Sequence, residues 1–305
     1  MAIATCACRG AAQLMVSDAT GRAPVPDGIP LRADCVSGIG WIANSTALSR
    51  LGQTVANGNP ATTGRSVFVF PGHGLQWKGM AVELLESATA FADQMRSCDA
   101  AFAEFVDWSL LEALPGSVGS PSPDRVGGEQ AGLFAVMVSL AAQWRALGVH
   151  PDAVLGHSLG EIAAAYVAGA LSLRDAAKVV TLRSKAVSAV AVHCEPDDLP
   201  ATQIPVEYAS HSPQVMALRE NMRAQLSGLR PRTGDIAFIS TVTGAGLDTS
   251  ILDGEYWFAN MRQPALLEHA VRWAYEHGYR TFIESSPHPV LTAGIRELLE
   301  QPDIG

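Results

Sequence analysis

The stretch Val154-Leu155-Gly156-His157-Ser158-Leu159-Gly160-Glu161 decides the fold. It has the form G-x-S-x-G. An apolar strand-like run, Ala153 to Leu155, precedes it, and an Ala-rich helical run, Glu161 to Ala170, follows. A strand that turns sharply into a helix needs small residues on both sides of the turn, and the turn pushes the serine hydroxyl outward. The helix N-terminus lies directly beneath, so backbone N–H groups and the helix dipole face any negative charge that develops there. The same pattern also describes a tight corner that merely holds a serine, and the rest of the chain must decide between the two.

Working outward, Ser66-Val67-Phe68-Val69-Phe70 is a short apolar run ended by Pro71-Gly72-His73-Gly74, which predicts a buried strand entering a glycine turn. Apolar groups recur at helical spacing from about Trp77 to Phe105. Gly132 to Leu147 predicts a helix buried on most sides. Beyond the serine turn the pattern predicts helices over 161–170 and 173–187, then a polar loop from His193 to Gln203. It continues with an extended run at Pro205–Tyr208, helices at 214–226, 266–277 and 290–300, and strands at 236–240 and 281–284. Strands alternating with helices imply an α/β fold with a largely parallel sheet flanked by helices. Residues 1–64 are rich in Gly, Ala, Ser, Thr and Pro, with weak periodicity and a weak helix signal at 45–56. They read as a linker-like segment without an assigned role.

Composition narrows the function. Of 305 residues, 48% are hydrophobic and 17% charged, enough for a sizeable core. A formal net charge of −9 and the lack of a Lys/Arg cluster argue against nucleic acid as partner. The five cysteines fit no metal-binding spacing, so no metal is expected. No run approaches the ~18 apolar residues of a membrane span, and Arg9 interrupts the N-terminus before a signal peptide could form. The expected location is cytoplasmic, with no membrane partner.

Ser158 needs a base, because an unassisted hydroxyl is a poor nucleophile at neutral pH. His157 is adjacent, but successive residues at a sharp turn point apart. His211 follows an extended run in Tyr208-Ala209-Ser210-His211-Ser212-Pro213, and a loop histidine at a strand end can reach a separate site. Arg183, in Thr181-Leu182-Arg183-Ser184, is either a solvated helix-face arginine or a planar fork offered to a carboxylate.

Taken together, six ordered motifs resemble the acyltransferase domain of modular polyketide synthases, related to malonyl-CoA:acyl carrier protein transacylases. They are F-V-F-P-G-H-G-x-Q-W (68–77), G-H-S-L-G-E (156–161), the L-R-S segment holding Arg183, Y-A-S-H-S (208–212), E-Y-W-F-A-N-M-R-Q-P (255–264) and E-S-S-P-H-P-V-L (284–291). The resemblance covers about Arg65 to Leu299, and defines an acyltransferase domain over 65–300. It implies the hydrolase-like large subdomain of that fold. The family's small ferredoxin-like subdomain, normally inserted between Arg183 and Tyr208, is reduced or absent, and a shortened region at 188–203 stands in its place. Its loss would leave a more open, wetter cleft.

The resemblance also implies roles. Ser158 would be the nucleophile and His211 the general base, a Ser-His dyad whose imidazole is oriented by the backbone carbonyl of Asn260. The backbone N–H groups of His73 and Leu159 would form the oxyanion hole; the family usually has Gln at position 73. Gln130 would line the site, and Arg183 would pair with the free carboxylate of a malonyl-type substrate. A simple acetyl group supplies no such counter-charge. Tyr208 and Ser210 match the pattern associated with methylmalonyl units, since Ser210 leaves room for an α-methyl group. Leu159 stands where methylmalonyl members usually carry Gln.

The implied reaction moves a malonyl-type group, more readily methylmalonyl than malonyl, from a CoA thioester to the phosphopantetheine thiol of an acyl carrier protein. It needs no bound cofactor, and other polyketide synthase domains are further expected partners. Two other readings stand beside it. One is a serine esterase or thioesterase using the late Glu284 and His288; the other is a truncated, non-catalytic remnant.

Overall fold

The computed structural model describes residues 64–72, 81–113, 128–193, 213–287 and 289–300, and the backbone alone of 2–8, 12–17 and 40–43. Eight strands form one sheet: β1 (Ala2–Cys8), β2 (Ala12–Ser17), β3 (Gly40–Ala43), β4 (Arg65–Phe70), β5 (Ala153–Gly156), β6 (Ala237–Ser240), β7 (Ala245–Leu247) and β8 (Tyr279–Ser285). Their order is β3-β2-β1-β8-β4-β5-β6-β7. From β1 to β6 across the sheet every pairing is parallel. The antiparallel pairings lie at the two margins, β1–β2 and β2–β3 on one side and β6–β7 on the other. The expected α/β architecture with a largely parallel, helix-flanked sheet is what the chain adopts. The segment read as linker-like supplies β1, β2 and β3. The weak helix signal at 45–56 and the extended run at 205–208 lie outside the described residues.

The central strands are apolar on both faces, as a sheet covered on both sides requires. In β4, Phe68 and Phe70 join one core cluster while Val67 and Val69 join the other. The first cluster packs beneath α2 (Thr89–Phe102), α4 (Gly128–Ala146), α5 (Gly160–Val167) and α6 (Leu173–His193). It is preceded along the chain by α1 (Val82–Ser87), and α3 (Leu110–Ala113) lies between α2 and α4. Ala88 separates α1 from α2 in an extended conformation, where the sequence had predicted one continuous helical stretch. In α4 every residue from Ala131 to Ala141 is buried, which explains why its apolar pattern has no single face. The second cluster lies under α9 (Leu267–Glu276) and α10 (Thr292–Glu300), which contribute Ala270, Val271, Ala274 and Ile295. The stretch predicted as a helix over 214–226 divides into a 3-10 segment, Pro213–Leu218, and α7 (Arg219–Leu226). The E-Y-W-F-A-N-M-R motif forms α8 (Gly254–Arg262), capped by Asp253, whose side chain accepts from Glu255 N and Tyr256 N.

Cys98 on α2 is fully buried, and burial pushes its thiol up to about 12. A thiol held protonated is inert. Cys98 is therefore expected to resist iodoacetamide at pH 8 in the folded chain and to be alkylated once denaturant is added. Peptide mapping of the two samples checks this.

Candidate active site

The serine turn sits where β5 ends between β4 and β6, at the C-terminal edge of the parallel strands. His157 N–H donates to Phe70 O at 2.8 Å, extending the β4–β5 ladder by one bond. The chain then reverses through successive short bonds: Gly160 N–H to His157 O at 2.9 Å, Glu161 N–H to Ser158 O at 3.0 Å and Ile162 N–H to Leu159 O at 3.0 Å. Ser158 itself has φ 56, a left-handed value that side chains rarely adopt. Such strain persists only where the surroundings enforce it, and it clusters at functional sites. The surroundings here are the two flanking glycines. A Cβ on Gly160 would overlap the carbonyl of Phe70, and a Cβ on Gly156 would overlap the backbone of Gly160 and Glu161. The glycines let β5, β4 and α5 meet at this point.

The structure brings Ser158 and Arg183 together. Arg183, on α6, donates from a guanidinium NH2 group to Ser158 Oγ at 2.6 Å, and the two residues are 4% and 2% exposed. A guanidinium beside the oxygen stabilises negative charge there, and more strongly out of water than in it. The sequence reading left Arg183 between a solvated helix face and a cleft; it lies in the buried position.

Asn260 also reaches the turn. It lies on α8, and its Nδ2 donates to the main-chain carbonyl of Ser158 at 3.1 Å and to Glu161 Oε2 at 2.8 Å. The role expected of Asn260 used only its backbone carbonyl, so this side-chain contact is additional. Glu161 was not singled out from the sequence. Its carboxylate is completely buried and accepts from Thr241 N–H, from Thr241 Oγ1 at 3.0 Å and from Tyr256 OH at 2.9 Å. Burial pushes its carboxyl above the usual carboxylate range, and the surrounding donors oppose that shift. Its signal in the sequence is its position: a glutamate directly after the second glycine occupies the first turn of α5, beneath the serine.

The remaining expected residues fall into two groups. Gln130 sits in the first turn of α4 and makes no hydrogen bond to Ser158; its Oε1 is buried without a partner. His73, Tyr208, Ser210 and His211 lie outside the described residues. Glu284, the acid of the esterase reading, is occupied elsewhere. One oxygen accepts from Ser286 Oγ at 3.0 Å and Val290 N–H at 2.7 Å. The other accepts from Leu291 N–H at 3.1 Å, Thr292 N–H at 2.8 Å and Thr292 Oγ1. It serves as the anchor for the N-terminus of α10. Among the described residues no cluster of His, Cys, Asp and Glu could hold a metal, and no helix is long and apolar enough to cross a membrane.

A largely parallel sheet with a strained serine at a strand–helix turn, contacted by a buried arginine and a buried asparagine, places the chain in the α/β class with a nucleophile-elbow turn. The profile of the acyl transferase domain matches residues 67–195 and 185–304. The chain therefore belongs to the acyltransferase-domain family, of the polyketide synthase type. It is 49% identical over 298 residues to mycoketide-CoA synthase of Mycobacterium tuberculosis, covering 81% of this chain and 7% of that protein. With erythronolide synthase EryA3 of Saccharopolyspora erythraea the identity is 40%, covering 88% of this chain and 10% of the relative. The chain thus spans a small fraction of the length of these curated relatives. Among solved structures, a loading acyltransferase from the avermectin modular polyketide synthase superposes with TM-score 0.70 at 42% identity, covering 77% of this chain and 91% of that one. The acyltransferase domain from module 8 of the salinomycin polyketide synthase gives TM-score 0.70 at 44% identity, covering 76% and 67%.

Proposed function

We propose that the chain transfers a malonyl-type group, preferably methylmalonyl, from CoA to the phosphopantetheine thiol of an acyl carrier protein, through an ester on Ser158. The observation that carries this reading is the 2.6 Å contact between the Arg183 guanidinium and Ser158 Oγ. A cation touching the nucleophile is within reach of a carboxylate on any acyl group that this oxygen holds. The incoming carboxylate draws the guanidinium off the serine, freeing the oxygen for attack.

His211 takes the proton as Ser158 Oγ attacks the thioester carbonyl carbon, and returns it to the departing CoA sulfur. In the second half the carrier thiol attacks the serine ester, its proton passes to His211 and then to Ser158 Oγ, and the acyl thioester leaves. Leu159 N–H and His73 N–H receive the charge on the carbonyl oxygen in both halves. Leu159 N–H opens the helix that follows the serine, where main-chain donors lack intrahelical acceptors, and this supports it as a donor to the oxyanion. Asn260 lies in the last turn of α8, where main-chain carbonyls lack intrahelical donors, and this supports its carbonyl as the partner of the His211 ring. Gln130, with its buried acceptor, lines the entrance. Ser210 and Tyr208 give space to the α-methyl group, and one methyl is worth only ~1–3 kcal/mol of discrimination. Carrier protein and neighbouring synthase domains in the cytoplasm are the partners.

The family match divides into two stretches that meet at 185–195. The alignment with mycoketide-CoA synthase is also longer than the part of this chain that it uses. Both observations support a reduced ferredoxin-like subdomain, whose loss would open the cleft to water and let slow hydrolysis of the acyl-enzyme accompany transfer.

The test is intact-protein mass spectrometry after exposure to methylmalonyl-, malonyl- and acetyl-CoA. Adducts with the two dicarboxylic thioesters are expected. Equal labelling by acetyl-CoA removes the role of Arg183, turnover of simple esters without an adduct favours the esterase, and no reaction at all favours the remnant. Arg183→Ala is expected to weaken acylation by methylmalonyl-CoA by about 2–5 kcal/mol, as for loss of one partner of a buried charge pair, while acetyl-CoA gains relative to it. Competition between the two thioesters checks this.

A further inference from the structure

The hydrogen bonds at the turn make a chain from Glu161 to the peptide that follows the nucleophile. Tyr256 and Asn260 are four residues apart on one face of α8, and both donate to Glu161 Oε2. Thr241, just past β6, donates to Oε1 and, through Oγ1, also approaches Gly156 O at 2.9 Å. Glu161 thereby fastens α8 and the end of β6 to the serine turn.

Asn260 spends one amide proton on Glu161 and the other on Ser158 O, which also accepts from Glu161 N–H. Its orientation is fixed by chemistry. Turned about the amide, Oδ1 would face the Ser158 carbonyl oxygen, which can only accept, and Glu161 Oε2, which already takes the Tyr256 hydroxyl. As it stands, Oδ1 is buried without a partner among the described residues, in a residue that is 4% exposed. Orphaned buried acceptors are unfavourable and rare, and this one is tolerated in return for two well-placed donors.

Ser158 C=O and Leu159 N–H belong to one trans peptide plane, and among the described residues no peptide bond is cis. In a trans peptide the two groups point in opposite directions. Holding the carbonyl therefore holds the direction of the N–H. Donors on the carbonyl also polarise the amide and strengthen its N–H as a donor.

We propose that Asn260, held by Glu161, is a positioning residue that aims and polarises Leu159 N–H toward the oxyanion. This rests on the reading of Ser158 as the acylated residue and Leu159 as an oxyanion donor.

The experiment measures single-turnover acylation of the full chain by methylmalonyl-CoA over a range of concentrations. Asn260→Ala is expected to lower the limiting rate about 10- to 100-fold, the scale of a misplaced catalytic group. The half-saturating concentration should stay unchanged, because the lost interaction is made only in the transition state. Tyr256→Phe removes one donor to Glu161 and leaves Asn260 in place, so the same change is expected on a smaller scale. Wild-type limiting rates in both variants, or a change confined to half-saturation, overturn the inference. Where Asn260→Ala fails to fold, Tyr256→Phe decides by the same criteria. A second readout separates this inference from the proposed function. In a nitrogen-15-labelled chain, loss of polarisation moves the Leu159 amide proton upfield in the variants. An unmoved resonance overturns the inference whatever the activity, whereas a moved resonance in a chain that is never acylated supports the held and polarised Leu159 amide but overturns the proposed function and with it the oxyanion role.

Discussion

Ser158→Ala is expected to leave the chain folded and to abolish the covalent adduct with both dicarboxylic CoA thioesters. The hydroxyl is the atom that forms the ester, and among the described residues neither side chain that contacts the turn can take over. Arg183 presents a guanidinium that only donates and Asn260 presents an amide. The substitution keeps a Cβ at φ 56, so the backbone strain of the turn remains. Ser158→Gly removes that strain together with the hydroxyl. The glycine variant should therefore be the more stable of the two inactive proteins, by about 1–2 kcal/mol from the left-handed penalty. Intact-mass spectra check the first expectation and urea melts of the two variants check the second. A persisting adduct in Ser158→Ala would place the acylated residue elsewhere and sink the proposed nucleophile. Equal stability of the two variants would show that the turn relaxes.

The second large effect is on folding. Gly160→Ala places a methyl group where the Phe70 carbonyl stands, and the neighbour is backbone rather than a flexible side-chain end. Phe70 is itself committed, because its carbonyl accepts from His157 N–H and its ring lies in the core. Relief requires β4 and α5 to separate, which opens a buried junction of the sheet. Effects above ~4 kcal/mol are exceptional and arise from such backbone and overpacking conflicts. Gly160→Ala is expected to be insoluble or to melt far below the parent chain. Gly128→Ala, on a glycine with open space around it, should be close to neutral. Circular dichroism melts of the pair distinguish a local steric effect from a general intolerance of substitution. A Gly160→Ala chain as stable as its parent would mean that the turn is not packed as described.

The two predictions rest on parts of the molecule that were unequally legible. The turn was legible because its constraints are local: two glycines, a serine and an apolar strand within eight residues suffice. Strands β4, β5, β6 and β8 were legible for the same reason, as short apolar runs bounded by turn residues. The strands of the first 64 residues were not. Ala2–Cys8 and Ala12–Ser17 consist largely of small residues, whose preference for strands is weak, and they gain their place only by pairing with β8 and with each other. α8 was quoted as a motif but not read as a helix. Its asparagine then became a backbone contributor, although its side chain is what meets the turn. Glu161 was overlooked because a glutamate at a helix start usually reads as a favourable charge near the dipole. Its four donors come from residues about 80 to 99 positions away, which no local pattern contains. The pairing of Arg183 with Ser158 has the same character: 25 residues of sequence separate them, and only the packing of α6 against α5 brings them into contact.

The sheet order has a kinetic side. β8, close to the end of the chain, lies between β1 and β4, both of which precede it by more than 200 residues. A ribosome releases β1 and β4 early, yet neither can meet its shared neighbour until residues 279–285 emerge. While the residues between β4 and β8 are being made, the middle of the sheet is therefore a slot one strand wide, with unpaired edges on both sides. Such long-range pairing folds slowly and leaves edges open to other chains. β8 is the strand that locks the sheet, and a chain arrested before Tyr279 would carry the serine turn without the neighbour that completes the sheet beneath it.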